Sequence, residues 1–203
     1  MPGARAVLWD IGNVLADWNP RRLYTKLLTS DAAVDDFLGG VCTMAWHQAH
    51  DRGVPMAENR LALIEAHPEK AELIEAWETR WPEMFDGWIT GMEALVGELE
   101  TACIAQYALT NYPAEKIPHL YDTFPSIARF RDVIVSGDEG VVKPDPAIYA
   151  IARARIGLDP AQVVFLDDRQ ENVAAARAAG FQAELFTGEA AARAALRTRG
   201  LPV

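Results

Sequence analysis

Cysteine is scarce in this chain. The two present, Cys42 and Cys103, lie far apart and lack the short spacing of a thiolate metal site, so no disulfide framework or cysteine metal centre organises the fold. Each is flanked by small or apolar residues, which predicts packing roles in a reducing compartment. Long apolar runs are missing too. No stretch has the length of a membrane span, and M-P-G-A-R leads straight into a strand-like segment, so the expectation is a cytoplasmic protein without signal peptide or membrane contact. Positive charge is in deficit, with 19 Lys and Arg against 29 Asp and Glu and a formal net charge of -10. That balance argues against a sequence-independent grip on nucleic acid or an anionic membrane, both of which need a basic surface. Any phosphorylated ligand must be held by local positive charge. Repeats and low-complexity tracts are absent, apart from a mildly Ala/Arg-rich C-terminal helix.

What is present is a globular composition, 50% hydrophobic and 24% charged over 203 residues, enough for one core with a smaller insertion or for two small domains. The stretch Ala6 to Asp17, A-V-L-W-D-I-G-N-V-L-A-D, carries an apolar strand that delivers a carboxylate, Asp10, into a glycine turn. In an open parallel sheet ligands bind where strands end, so an acid at the end of a buried strand faces the site. Gly12 lets the backbone come close to a ligand or metal. Taken alone, Asp before Gly is also ordinary turn chemistry.

From Pro20 the pattern turns helical, with Leu23, Leu27 and Leu28 at helical spacing, and to about Trp88 only helices are predicted: Ala32 to Leu38, Thr43 to His50, Met56 to Ala66 and Pro68 to Phe85. Five of the six tryptophans fall between Trp18 and Trp88, which predicts a compact helical unit with its own small core. From Gly91 helix and strand alternate, as parallel strands joined by right-handed crossovers require. The expectation is therefore an α/β fold, a Rossmann-like doubly wound parallel sheet, with residues 1–16 and 89–203 as the core and residues 17–88 as an inserted helical cap lying over the strand ends.

Three further segments bring polar residues to strand ends: Thr110 with Asn111, the loop leading to Lys143, and Asp167 with Asp168. A carboxylate nucleophile, a hydroxyl, a cation and an acidic pair on one sheet edge are more than turns require. In order and spacing, W-D-I-G-N-V-L, L-T-N, K-P-D-P-A-I-Y and F-L-D-D resemble the four motifs of the haloacid dehalogenase-like hydrolase superfamily, over nearly the whole chain. The helical insertion resembles that family's cap placed after the first motif, and the D-x-G-N-V form is similar to members that include glucose-1-phosphate phosphatases.

The resemblance implies that Asp10 attacks phosphorus to form an aspartyl-phosphate, which water then hydrolyses. Thr110 and the Asn111 backbone N–H would hold phosphate oxygens, and Lys143 would neutralise nucleophile and phosphate. Mg²⁺ would be held by Asp10, the Gly12 carbonyl and one or both of Asp167 and Asp168. Charge supports a metal: three carboxylates against one lysine leave two surplus negative charges, and without a cation one acid should hold a proton. Asp145 reads as the N-cap of the helix that follows it, with Pro146 in its first position, Asn172 as a residue that positions the acidic loop or caps a helix, and Asp17 as a capping or hinge residue.

The sequence departs from the family at one place. Where its phosphatases carry a second aspartate that protonates the leaving oxygen, this chain has Gly12. A missing general acid costs on the order of a hundredfold in rate. Three explanations stand: a substrate with an acidic leaving group, such as a sugar 1-phosphate; a cap histidine, His47 or His50 from W-H-Q-A-H-D-R-G, exchanging protons near neutral pH; or another reaction. In isolation each histidine reads as an exposed helix-end residue, Trp46 as core packing and Arg52 as surface. The leading reading is a Mg²⁺-dependent phosphatase of a small phosphorylated metabolite, sugar phosphates favoured. The alternatives are a metal-independent 2-haloacid dehalogenase using Asp10, against which the acidic pair argues, and a catalytically silent protein that binds a phosphorylated ligand or a partner. Both a monomer and a homodimer are compatible with the sequence.

Overall fold

The computed structural model describes residues 3–203. Ala6–Trp9 (β1) is buried along its whole length and forms the centre of a five-stranded sheet. Ala16–Trp18 (β2) follows, then the helices Arg21–Tyr24 (α1), Asp31–Gly40 (α2), Met44–Asp51 (α3), Met56–Ala66 (α4) and Ala71–Thr79 (α5), then Phe85–Trp88 (β3). The second half runs Met92–Thr101 (α6), Ala105–Thr110 (β4), Ile117–Thr123 (α7), Asp132–Val135 (β5), Ser136–Glu139 (α8), Pro146–Ile156 (α9), Val163–Asp167 (β6), Gln170–Ala178 (α10), Gln182–Leu185 (β7) and Glu189–Thr198 (α11). The sheet order is β5-β4-β1-β6-β7, every pair parallel, which makes this an α/β fold with the Rossmann-like sheet expected.

Side chains alternate across the sheet because successive Cβ atoms in a strand point to opposite faces. Val7, Trp9, Ala108, Val164 and Leu166 pack with α6 and α11 on one face. Ala6, Leu8, Tyr107, Leu109 and Phe165 pack with α9 and α10 on the other. Each large aliphatic or aromatic side chain fully buried this way contributes about 1.5–3 kcal/mol, so a strand this apolar belongs in the middle. Register then decides the chemistry. Trp9 lies opposite Leu166 of β6 and Ala108 of β4, and the Asp10 N–H donates to the Leu166 carbonyl at 2.9 Å. Asp10 therefore emerges level with Asp167, with Thr110 a residue beyond on the other side.

Helix ends follow local chemistry. Asp145 caps α9, its carboxylate accepting from the Ala147 N–H at 2.9 Å with Pro146 in first position, and Gly157 closes the helix in the left-handed conformation.

The segment predicted as helix alone differs in three respects. First, β2 and β3 at its two ends pair antiparallel, with Ala16 opposite Trp88 and Trp18 opposite Phe85. Strands of three and four residues are too short for alternation to be seen in sequence. Second, the predicted Pro68 to Phe85 helix is cut at both ends into 3₁₀ turns, Pro68–Lys70 and Trp81–Met84, where Pro68 and Pro82 lack the N–H that a continuous helix needs. Third, the helices have no separate core. Val34, Phe37, Trp77 and Trp81 belong to the same apolar cluster as Val7 and Trp9. Cys103 is a further correction: it is exposed, in a left-handed turn after α6, while Cys42 is buried as predicted. Among the described residues no helix is long and apolar enough to cross a membrane.

Candidate active site

The carboxyl ends of β1 and β6, the loops after β4 and before α9, and the helix α3 enclose a cavity of about 360 Å³. Its floor is charged, lined by Asp10, Lys143 and Asp168, with Asp167 buried behind Lys143. Asp10, Lys143 and Asp167 are 6%, 2% and 0% exposed, and the Lys143 ammonium sits between the two acids, 2.8 Å from Asp10 Oδ1 and 2.7 Å from Asp167 Oδ2. Burying an ammonium costs several kcal/mol unless it is paired. Here it has two partners, so although burial disfavours its charge, Asp10 and Asp167 hold its pKa above the ordinary lysine value.

Hydrogen bonds differentiate the acids. Burial would raise Asp167, but Lys143, the Arg169 backbone N–H at 2.9 Å and the Asn172 amide at 2.9 and 3.1 Å from its two oxygens hold it below the ordinary carboxylate value. Asp10 receives Lys143 and the Ile11 N–H at 2.7 Å, yet burial, reinforced by Asp167 and Asp168, pushes it well above. Burial and Asp167 also raise Asp168. Without a cation the site thus disfavours charge on Asp10 and Asp168. A divalent cation fits this donor set: oxygens of Asp10, Asp167 and Asp168 lie within 4.8 Å of one another, all hard ligands, with more negative charge than Lys143 cancels.

The remaining predicted residues fall around this floor. Asn111 clamps the lysine-bearing loop, its amide donating to the Lys143 carbonyl at 3.0 Å and its Oδ1 accepting the Lys143 N–H at 2.8 Å. Thr110 is buried at the end of β4, one residue before Asn111, and does not line the cavity. Gly12 does line it, and a Cβ built there meets nothing within 4 Å. Asn172 donates to both oxygens of Asp167, the positioning role rather than the helix cap, of the two readings its sequence position left open. Asp17 binds Arg22 at 2.7 Å beside the ribbon, and Arg52 is exposed and donates to Gln48 at 2.9 Å.

His47 and His50 need correction. Both are buried, 4% and 1% exposed, and only His47 lines the cavity. His47 stacks on Trp18 with centroids 5.4 Å apart and packs against Trp77 and Trp81. Burial, helped by His50, pushes its pKa down to about 3, and burial with Lys116 pushes His50 to about 4. Both are neutral near pH 7, so proton exchange through an imidazolium is not available to them. Sequence reasoning missed Asp51, four residues after His47, which is 7% exposed and lines the same cavity. The signal was the spacing, since i and i+4 share one helix face.

A buried lysine bridging strand-end carboxylates on a parallel sheet, beside a third acid, defines a class of site built around an anionic nucleophile or metal ligand. The family model described as haloacid dehalogenase-like hydrolase matches residues 4–180, and the chain belongs to that family. It is 27% identical over 179 residues to the sesquiterpene phosphatase astK of Aspergillus oryzae, spanning 87% of this chain and 86% of that protein. A phosphoglycolate phosphatase of Salmonella paratyphi A is 29% identical over 86 residues, 42% of this chain and 34% of that one. In three dimensions the chain superposes with a TM-score of 0.69 on a HAD family enzyme from Bacteroides thetaiotaomicron solved with magnesium and inorganic phosphate. The two are 20% identical, with 92% and 96% of the chains covered.

Proposed function

We propose that this hydrolase is a phosphatase of a small phosphorylated metabolite, with Asp10 as nucleophile, Lys143 as the fixed positive charge, and the Asn111 backbone N–H holding a phosphate oxygen; Thr110, buried behind Asn111, would join it only if the end of β4 shifts when the substrate binds. The observation that carries the reading is the Lys143 ammonium held 2.8 Å from Asp10 and 2.7 Å from Asp167 at the floor of a cavity. Attack of a carboxylate on a phosphate ester brings two anions together, so the site must supply cationic charge before the substrate arrives. Asp10 would attack phosphorus, and the aspartyl-phosphate would be released by water. Mg²⁺, held by Asp10, the Gly12 carbonyl, Asp167 and Asp168, would neutralise charge on the transferring group and on the nucleophile. Residues 17–88 are read as the cap that closes the cavity and sets specificity.

Sugar phosphates are the favoured substrates, on the similarity of the first motif. A second class is favoured by the wall opposite the acids, where Trp18, Met44, Trp81 and Phe85 offer an apolar surface, and by the sesquiterpene phosphatase among the relatives: phosphates with an apolar chain. The test is phosphate release from p-nitrophenyl phosphate, a sugar phosphate panel and farnesyl phosphate, with Mg²⁺ or EDTA, beside chloride release from 2-chloropropionate. Metal-dependent phosphate release that disappears in Asp10→Asn is expected. Chloride release insensitive to EDTA, with no phosphate from any compound, would establish the dehalogenase instead. Ligand binding with no turnover under any condition would establish the silent protein.

A further inference from the structure

At Gly12 the sheet side of the cavity offers no donor for the leaving oxygen. We propose that Asp51, on α3 across the cavity, is the proton donor to the leaving group and then the acceptor for the attacking water. The proposal rests on the phosphatase reading above and names the residue that completes it.

Asp51 lines the cavity that Asp10, Gly12 and Lys143 line, and its side chain is 9% exposed. Its Oδ1 is fully buried and has no hydrogen-bond partner in the protein, a cost of about 1–3 kcal/mol for a polar atom unless a proton, a water or a ligand satisfies it. Of the other titratable groups on the cavity wall, Asp10 and Asp168 belong to the acidic cluster and Lys143 is committed to two carboxylates. Arg169 does not release a proton. The Tyr112 hydroxyl, raised by burial, accepts from the Trp81 indole at 3.2 Å. His47 is neutral.

The surrounding hydrogen bonds set which ring nitrogen His47 turns toward Asp51. The Trp46 carbonyl accepts from Asn59 Nδ2 at 3.1 Å, which fixes that amide, and the same nitrogen donates to His50 Nε2 at 2.8 Å. His50 therefore carries its proton on Nδ1, facing His47 Nδ1 at 3.3 Å, which leaves the His47 proton on Nε2. That N–H faces Asp51 Oδ1 at 3.5 Å, too long to settle the carboxylate. Burial raises Asp51 to about 7, against the lowering influence of Lys143 and Arg52, so both protonation states are populated at neutral pH. The groups that face it are His47 and Arg52 on its own helix, Lys143 from the loop before α9, and Tyr112 after β4.

The steps balance. As an Asp10 oxygen bonds to phosphorus, the bond from phosphorus to the leaving oxygen breaks, its electron pair stays on that oxygen, and the Asp51 carboxyl gives it a proton. The Asp51 carboxylate then takes a proton from water, whose oxygen bonds to phosphorus as the bond to Asp10 breaks. Asp10 and protonated Asp51 are both restored.

The experiment compares wild type, Asp51→Asn and the double variant Gly12→Asp with Asp51→Asn on substituted phenyl phosphates, from p-nitrophenyl to unsubstituted phenyl, and on the best alkyl phosphate of the panel. Folding is checked by circular dichroism. A lost proton donor matters most for the poorest leaving groups. In Asp51→Asn, p-nitrophenyl phosphate should fall by less than about tenfold and the poorest leaving group by about a hundredfold or more. The plot of log kcat/KM against leaving-group pKa should steepen. The fall in wild-type rate as pH rises through about 7 should vanish with it, and Gly12→Asp, placed where a side chain has room, should restore part of the loss. An equal loss on every leaving group, or none on the poorest, overturns the proposal while leaving the phosphatase standing. Absence of phosphate release from wild type overturns both.

Discussion

Replacing Lys143 by Met is the most informative single perturbation of this site, because it removes the only buried cation among the described residues while keeping most of the volume. Lys143 is 2% exposed and bonded to two acids, and breaking a buried pair by removing one partner costs about 3–5 kcal/mol, since the other charge is left without compensation. At a urea dependence of about 2–3 kcal/mol per molar, the unfolding midpoint should fall by roughly 1–2.5 M. The pH dependence has a definite sign. Lys143 is raised above its unfolded value, so its stabilisation is fully present below the unfolded lysine pKa and lost only in strong alkali. Asp167 is lowered, so it stabilises above the unfolded aspartate pKa and loses that as pH falls through its folded value. Asp10 is raised and works the other way, costing stability as pH climbs from its unfolded value through its folded one. Without Lys143 both carboxylates should hold protons to higher pH, so the gap from wild type should be wide at pH 7.5 and narrow near pH 4. Tryptophan fluorescence during urea unfolding in EDTA measures it, and Mg²⁺ should stabilise the variant more than wild type by binding the uncompensated acids. A variant as stable as wild type at pH 7.5 in EDTA would refute the view that Lys143 neutralises the cluster.

Two other outcomes are expected. Asn172→Ala removes the amide that contacts both oxygens of Asp167; Mg²⁺ affinity followed by isothermal titration should weaken by about 10- to 100-fold, as for other residues that orient a ligand, while Asp10 attack geometry is untouched. His47→Gln should lower turnover by less than about tenfold and leave the pH profile in place, because a histidine with a pKa of about 3 is not the acid; a loss of a hundredfold or more in steady-state rate would reinstate it.

The parallel sheet was legible because each strand is a short apolar run set between helices with clear caps, as at Asp145 and Gly157. The floor of the site was legible for a related reason: a charged residue closing a buried strand has to face the sheet edge, and register sets Asp10 beside Asp167. The roof was not. His47, His50 and Asp51 lie on a helix of eight residues whose low overall hydrophobicity reads as surface, and only its packing against Trp18, Trp77 and Trp81 buries it. Asn111 was assigned by its backbone alone, and its side chain turned out to be the clamp on the lysine loop, a contact across 32 residues that no local pattern encodes. The β2–β3 ribbon was invisible for lack of length.

The central position of β1 also bears on how the molecule comes to exist. Its neighbours are β4, where Ala6 meets Ala105, and β6, where Ala6 meets Val163. At a synthesis rate of about 5–20 residues per second, the strand that carries Asp10 waits roughly 8–30 s after leaving the ribosome before its second flank is made. Until β4 is made Ala-Val-Leu-Trp has no sheet partner, and until β6 is made one of its edges stays open, an exposed apolar edge of the kind that favours aggregation. The strand that is made first thus waits longest for its second neighbour, since β4 and β6 are each completed within about twenty residues by β5 and β7.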